Sequence, residues 1–443
     1  MSSLQGVFAQ STQQGQQRPG AQPELRALAP NLSTPAGAPA GAASTVASAA
    51  GSSAASSVAP GGRGLPLSGK ARKPSGTSTA PAPAASNAEG MLPLPPEVND
   101  MRGHVAQLSK TQAGSKYLQR QLLKGHTGVI DVILHEVEQD IADLMCDAYG
   151  NYLCSVAFQA CSARQRQRML EKLAPRVPTI ACDKRGTHAL QALIGLLSTS
   201  EEQEQLMSAI KGNVLELCMD PNGTHVVQRL LYCFLPPCTD WIYYPVVGKL
   251  VEVAHHPYGL CVLKKCISQA KSPGKHQDLL LSQLAQHALD LVQSPYGNYA
   301  VQHALEEWGG VRCTPIFQSL EGRMMQLSIQ KFSSNVVEKL FCSAPPEFRS
   351  RFISELIESE KMSVLVNSNY GHYVVKRALQ LAETQQVRLL LEAIRSNIGQ
   401  LPNRRLRTKW EKVMSAGSER LSGVSTAHQG LATSLPSTAA DGM

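Results

Sequence analysis

Apolar and polar positions alternate in one recurring frame through the middle of the chain. A short apolar run, as in "IADLMCD", "VLELCMD", "ALDLVQS", "MMQLSIQ" and "MSVLVNS", precedes a turn signal such as "PNG" or "PYG". A second segment follows in which apolar residues recur at helical spacing. In "NYAVQHAL", Ala300, Val301, Ala304 and Leu305 share one side, while Asn298 and Gln302, four apart, share the other. A third amphipathic segment closes the unit, as in "RQRQRMLEKLAPR" or "TQQVRLLLEAIRSNI". The pattern predicts three helices per unit. The short first runs alone would also suit strands, but their regular coupling to helical partners and the lack of hairpin signals select helix.

The units keep register. With the residue after the glycine-like position as a marker, the series is Ser115, Asn151, Thr187, Thr224, Leu260, Asn298, Ser334 and His372. Successive separations are 36, 36, 37, 36, 38, 36 and 38 residues. That period belongs to helical solenoids. Stacking such units aligns all the second helices, so that Asn, Gln, His and Tyr at fixed offsets form a strip. An ordinary solvated face would carry Lys and Glu there, so the strip reads as a recognition surface. The glycines Gly150, Gly186, Gly223, Gly259, Gly297 and Gly371 read as turn residues.

Composition sets the boundaries. Residues 1–92 are rich in Ala, Ser, Gly, Pro and Gln and offer too little to bury, and residues 413–443 read alike; both are expected to be disordered arms. The helical domain is expected over 93–412, closed by a helix containing Trp410. A formal net charge of +8 permits a polyanionic partner without requiring one. The eleven cysteines form no CxxC pair, which predicts reduced, mostly buried thiols and no metal site. No apolar stretch reaches membrane-spanning length and the first residues lack a secretory pattern, so a soluble, cytoplasmic protein is expected. There is no phosphate-loop or HExxH pattern, "HEVE" at His135–Glu138 lacks the second histidine, and no nucleophile–base set is visible. Neither catalysis nor a cofactor is expected.

On "YGNYAVQ", "YGNYLCS", "NGTHVVQ", "RGTHALQ", "YGHYVVK" and "FSSNVVEKL", the units resemble PUF (Pumilio homology) repeats. The resemblance implies an all-α fold, a right-handed solenoid crescent of eight three-helix repeats with caps. It implies binding of single-stranded RNA, usually in mRNA 3′ untranslated regions, one repeat per base, with the strand running antiparallel to the repeats. Two positions four apart on the second helix touch the base edge, and the residue after the first stacks. It further implies recruitment of deadenylase or translational-repressor proteins.

Carried onto this chain, the resemblance gives Ser115, Lys116 and Gln119 as a set preferring adenine, with Lys116 in place of arginine. Asn151, Tyr152 and Ser155 keep half a uracil pair. Thr187, His188 and Gln191, like Thr224, His225 and Gln228, lack the first amide and should select less strictly. Leu260, Cys261 and Lys264 break the code. Asn298, Tyr299 and Gln302 should read uracil, and Ser334, Asn335 and Glu338 guanine. His372, Tyr373 and Lys376 depart from the Asn-Tyr-x-x-Gln expected for the first U of a UGU core. Arg120, Arg229, Lys265, His303, Lys339 and Arg377, each following a third position, face either phosphates or solvent. A protein–protein scaffold of armadillo or HEAT type and a divergent nucleolar relative remain as alternatives.

Overall fold

A computed structural model describes residues 101–235, 238–399 and 401–432, with side chains up to 422. The arm expected over residues 1–92 lies outside the described residues. Within them the structure is helical, with no strand among the described residues. Each unit has the expected three helices. In the sixth these are Ala288–Gln293, Gly297–Glu307 and Thr314–Leu320. The short runs that alone suited strands are helices of five or six residues, such as Ile141–Cys146, Val214–Met219 and Met324–Ser328.

The second helices are numbered α1 (Gln112–Leu123), α2 (Gly150–Ala160), α3 (Gly186–Ile194), α4 (Gly223–Cys233), α5 (Pro257–Gln269), α6 (Gly297–Glu307), α7 (Ser333–Ser343) and α8 (Gly371–Leu381). Each packs on the next, from α1 against α2 to α7 against α8, so the eight form one continuous row. Their apolar sides join a single core that runs from Met101 to Val413. Ala300, Val301, Ala304 and Leu305 are all buried in it, as the pattern required.

The closing helix, α9 (Arg404–Ala432), covers the last unit. Trp410 is fully buried and donates its indole N–H to the carbonyl of Val366 at 2.8 Å. α9 also corrects the expected boundary at 413, because the helix continues through much of the segment read as a tail. Val413 is buried. A side chain at Gly417 would meet Leu391 and Leu379 at 3.0–3.1 Å. Arg420 donates to the carbonyls of Leu379 and Ala382 at the end of α8, the latter at 2.6 Å. Sparse apolar residues, spaced to face one neighbour, suffice to hold this helix although its composition resembles a linker.

The glycines of the frame are not turn residues with positive φ; Gly150, Gly186, Gly223, Gly297 and Gly371 occupy the first position of a helix and Gly259 the third. What excludes a side chain is a carbonyl six residues earlier, in the preceding short helix. A Cβ would lie 2.7 Å from the carbonyl oxygen of Leu144 at Gly150, 2.7 Å from that of Ile180 at Gly186, and 2.9 Å from that of Leu291 at Gly297. The equivalent oxygens crowd Gly114, Gly223, Gly259 and Gly371. The seventh unit has Ser333 instead, whose hydroxyl donates to the same carbonyl, Leu327, at 2.7 Å.

A second recurring residue lies three before the glycine. Thr111, Asp147, Asp183, Asp220 and Ser294 accept a hydrogen bond from the glycine N–H of their units at 2.7–3.1 Å, satisfying a helix-start donor. Burial alone would raise the Asp147 and Asp183 carboxyls. The backbone N–H groups they accept outweigh it and hold both below the usual carboxylate range.

Gly186→Ala is expected to destabilise the domain by about 1–3 kcal/mol, as overpacking does. Gly212→Ala, where a Cβ meets nothing within 4 Å, is expected to stay within about 0.5 kcal/mol of the parent. Urea denaturation of both variants checks this; equal midpoints would show that the carbonyl approach imposes no constraint.

Candidate nucleic-acid interface

The row of second helices brings the eight predicted sets together, and it sorts their positions by depth. The first position is buried in every unit: Ser115, Asn151, Thr187, Thr224, Leu260, Asn298, Ser334 and His372 are each at most 5% exposed. The second position reaches solvent. Tyr152 is 62% and Tyr373 50% exposed; Lys116, His188 and Asn335 are exposed; His225, Cys261 and Tyr299 are half-buried. The third position is half-buried at Gln119, Ser155, Gln191, Gln228, Lys264, Gln302 and Glu338, and exposed at Lys376.

Buried first positions need hydrogen-bond partners, and most find them within the protein. Ser115, Thr187 and Thr224 donate their hydroxyls to backbone carbonyls of the following unit, those of Tyr149, Asn222 and Tyr258, at 2.8–3.2 Å. These side chains therefore pin one unit to the next. Asn298 donates its amide to the carbonyls of Ser294 and Pro295 at 2.8 and 3.1 Å. Asn151 does the same with Asp147 and Ala148.

The glutamines are oriented by those first positions. Gln119, Gln191 and Gln228 donate to the hydroxyls of Ser115, Thr187 and Thr224 at 3.0–3.2 Å. Gln302 donates to Asn298 Oδ1 at 2.8 Å. In the sixth unit the asparagine has thus spent both its donors internally. Gln302 keeps a carbonyl oxygen and one N–H, a paired acceptor and donor held at a fixed angle.

The seventh unit offers a different edge. Glu338 makes no hydrogen bond or ion pair among the described residues. Burial pushes its carboxyl above the ordinary glutamate value, against the opposing pull of Arg377 and Lys376. When ionised it presents two acceptors and no donor. In the fifth unit, Leu260 leaves no polar atom at the first position, and burial raises the Cys261 thiol away from reactivity. In the eighth, His372 lies against the Tyr373 ring, centroids 3.9 Å apart, and edge-on to Trp410. Lys409 sits 5.6 Å from the centroid of Tyr373.

The basic positions that follow the third site are not equivalent. Lys339 is paired with Glu306 at 2.6 Å, and His303 bonds Ser268 at 2.7 Å beside Glu307. Arg377 bonds Gln380. Arg120 donates to the Lys116 carbonyl, and Arg229 and Lys265 form no ion pair among the described residues. What the sequence reading missed is the capping residue three before the glycine and the internal use of the first position. The first was visible as a Thr, Asp or Ser at fixed offset; the second needs the fold.

Comparison with known proteins identifies the repeats. A profile of the Pumilio-family RNA binding repeat matches residues 104–138, 140–174, 176–211, 213–243, 249–284, 287–320, 323–357 and 368–395. The chain is 34% identical over 329 residues to Pumilio homolog 12 of Arabidopsis thaliana, covering 73% of this chain and 54% of that protein. It is 33% identical over 321 residues to a Pumilio domain-containing protein of Schizosaccharomyces pombe, covering 72% and 47%. The chain thus spans about half the length of these relatives. Among solved structures, the Puf4 RNA binding domain bound to an HO endonuclease RNA 3′ UTR recognition sequence superposes with a TM-score of 0.64 at 27% identity, covering 70% of this chain and 98% of that one. The RNA-binding domain of yeast Puf5p bound to MFA2 RNA shares the fold with a TM-score of 0.64 at 21% identity, covering 74% and 98%.

Burial and, secondarily, the charge of Lys409 push His372 down to about 4. An unfolded histidine titrates near 6.5. The unfolded chain therefore binds more protons between those values, and this group's contribution to stability falls as pH drops from about 6.5 towards about 4. An NMR titration should give His372 the depressed value, raised in Lys409→Ala; a midpoint near 6.5 would contradict the buried, neutral imidazole.

Proposed function

The chain belongs to the Pumilio family of RNA-binding repeat proteins, and on that footing we propose that it binds single-stranded RNA carrying a UGU-type element in mRNA 3′ untranslated regions and controls the stability or translation of those messages. The observation that carries the reading is the contrast between units six and seven on one continuous row. Gln302 offers one acceptor and one donor, matching the N3–H and a neighbouring carbonyl of uracil. Glu338 offers two acceptors, matching the adjacent N1–H and N2–H donors of guanine. Tyr299 and Asn335 stand beside them at the stacking position.

The same arithmetic revises what units one, three and four would read. Their glutamines are oriented by hydroxyls as Gln302 is by Asn298. The missing first amide removes only an acceptor lone pair, since the Asn298 donors are already used within the protein. These units would therefore still favour a mixed donor–acceptor edge. The fifth unit has no such edge to offer, and the eighth supplies Lys376, a donor only. In this reading the protein works in the cytoplasm, where eleven free cysteines suit a reducing compartment. Deadenylase or translational-repressor proteins are the partners that would turn binding into control.

Replacing Ser334 and Glu338 by Asn and Gln is expected to move the second core base from G to U, by about tenfold or more in relative affinity. Fluorescence anisotropy with UGU- and UUU-bearing oligonucleotides measures it; a retained preference for G defeats the assignment of units to bases. Because the Glu338 carboxyl is raised and guanine needs it ionised, the preference for G over U at that position should fade on acidification, starting above the ordinary glutamate range near 4.3. A G preference that holds unchanged down to pH 4.5 or so would contradict the role of the carboxylate.

A further inference from the structure

Beyond the eight reading sets, the ends of the second helices form another ordered row. From α3 to α6, the residue four after the third position lies against the basic position of the following helix. Ser268 of α5 bonds His303 of α6 at 2.7 Å. Glu306 of α6 pairs with Lys339 of α7 at 2.6 Å. Tyr232 of α4 occupies that place opposite Lys265 of α5. Where the other two contacts are closed by a hydrogen bond or an ion pair, this one is open. Tyr232 is 65% exposed, with the Arg229 guanidinium 5.7 Å and the Lys265 ammonium 5.2 Å from its ring centroid.

Two details mark a built feature rather than a stray surface tyrosine. Gly195, at the equivalent place just past the end of α3, leaves room that the Arg229 guanidinium fills; a side chain there would push the guanidinium aside. Arg229 Nε is buried without a hydrogen-bond partner, and neither Arg229 nor Lys265 has a carboxylate partner among the described residues. The neighbouring lysines Lys271 and Lys275 are paired, with Glu307 and Asp240. The unneutralised charge is therefore concentrated around one exposed aromatic ring. It stands one helical turn beyond Gln228, beside the fifth unit, where Leu260 provides nothing for a base edge.

We propose that Arg229, Tyr232 and Lys265 form a second nucleotide-binding ledge, on which the nucleotide opposite unit five stacks its base against Tyr232 and lays its phosphate against the two cations. The inference rests on the RNA reading above and adds to it: the chain replaces edge recognition at unit five by stacking and charge, both indifferent to base identity. The fourth nucleotide of a UGU-N element would be held tightly and unselectively. Tyr232 remains well exposed with both cations more than 5 Å from its ring centroid, and aromatic rings take all four bases alike.

The test compares the full chain with Tyr232→Ala and Tyr232→Phe on a UGU-N oligonucleotide and on one whose fourth nucleotide is abasic. Tyr232→Ala should weaken binding to UGU-N by about five- to a hundredfold, and Tyr232→Phe should bind as the parent does. Removing the fourth base should weaken the parent to a similar degree and make Tyr232→Ala silent. Arg229→Gln with Lys265→Gln should flatten the dependence of log affinity on log salt by about 0.7, one phosphate on a single strand. Unchanged binding by Tyr232→Ala while Tyr299→Ala weakens it would overturn the ledge and leave base reading intact, as would a Tyr232→Ala loss that persists on the abasic strand. A parent protein that holds no UGU-bearing strand would instead overturn base reading itself, and the ledge with it.

Discussion

The approach of each second helix to the carbonyl six residues before its first turn fixes the geometry of everything that follows. A helix start normally leaves room for a side chain at its first residue. Here the oxygens of Leu144, Ile180, Leu217, Leu291 and Leu365 occupy that room, and in α5 the oxygen of Val253 does so at the third residue. Only glycine fits without displacement, so the short helix and the second helix meet in direct backbone contact. Ser333 shows how the constraint can be met otherwise. Its hydroxyl turns the crowding oxygen into a hydrogen-bond acceptor, so the seventh unit makes the contact without glycine. The capping oxygens of Asp147, Asp183, Asp220 and Ser294 hold the same N–H groups from the other side. A unit so clamped can be repeated without accumulating error, and that allows a row of side chains to keep step with a linear ligand.

The clamp also explains which parts of the molecule were legible beforehand. Period, helix content and the buried side of α6 follow from apolar spacing, and Ala300, Val301, Ala304 and Leu305 are where that spacing puts them. The polar sets were legible because they recur at constant distance from the clamped glycine. The reason for the glycine was not, since a turn and a close approach leave the same letter. The extent of α9 was not either. Gly417 and Arg420 read as linker residues, and only a neighbouring helix end with free carbonyls at Leu379 and Ala382 makes them structural. Such contacts span about forty residues and have no local signature.

A first position that is buried in every unit changes what a recognition code means physically. Ser115, Thr187 and Thr224 are joints between units before they are anything else. Their second task is to hold a glutamine. The reading atoms are those left over after the solenoid has satisfied itself, which makes them preorganised: the glutamine is already oriented, and binding need not order it. Asn298 illustrates the consequence. Its amide looks like half of a donor–acceptor pair in the sequence, yet its donors serve the backbone of its own turn, and selectivity passes to Gln302.

Where a unit lacks this division of labour, the fold persists but the chemistry changes. Leu260 fills the buried place of the fifth unit with a side chain that can neither couple units nor orient a reader. The core does not suffer, because an apolar group suits a buried site. The exposed surface does change character at that point. Gly195 admits Arg229, and Tyr232 stands beside Arg229 and Lys265, neither of which has a carboxylate partner among the described residues. In a solenoid each unit contacts only its neighbours, so a local loss of selectivity need not spread. The same independence lets one unit exchange hydrogen-bond reading for stacking and charge while units six and seven keep theirs. Uneven units along an even frame are what a ligand with fixed and variable positions would require.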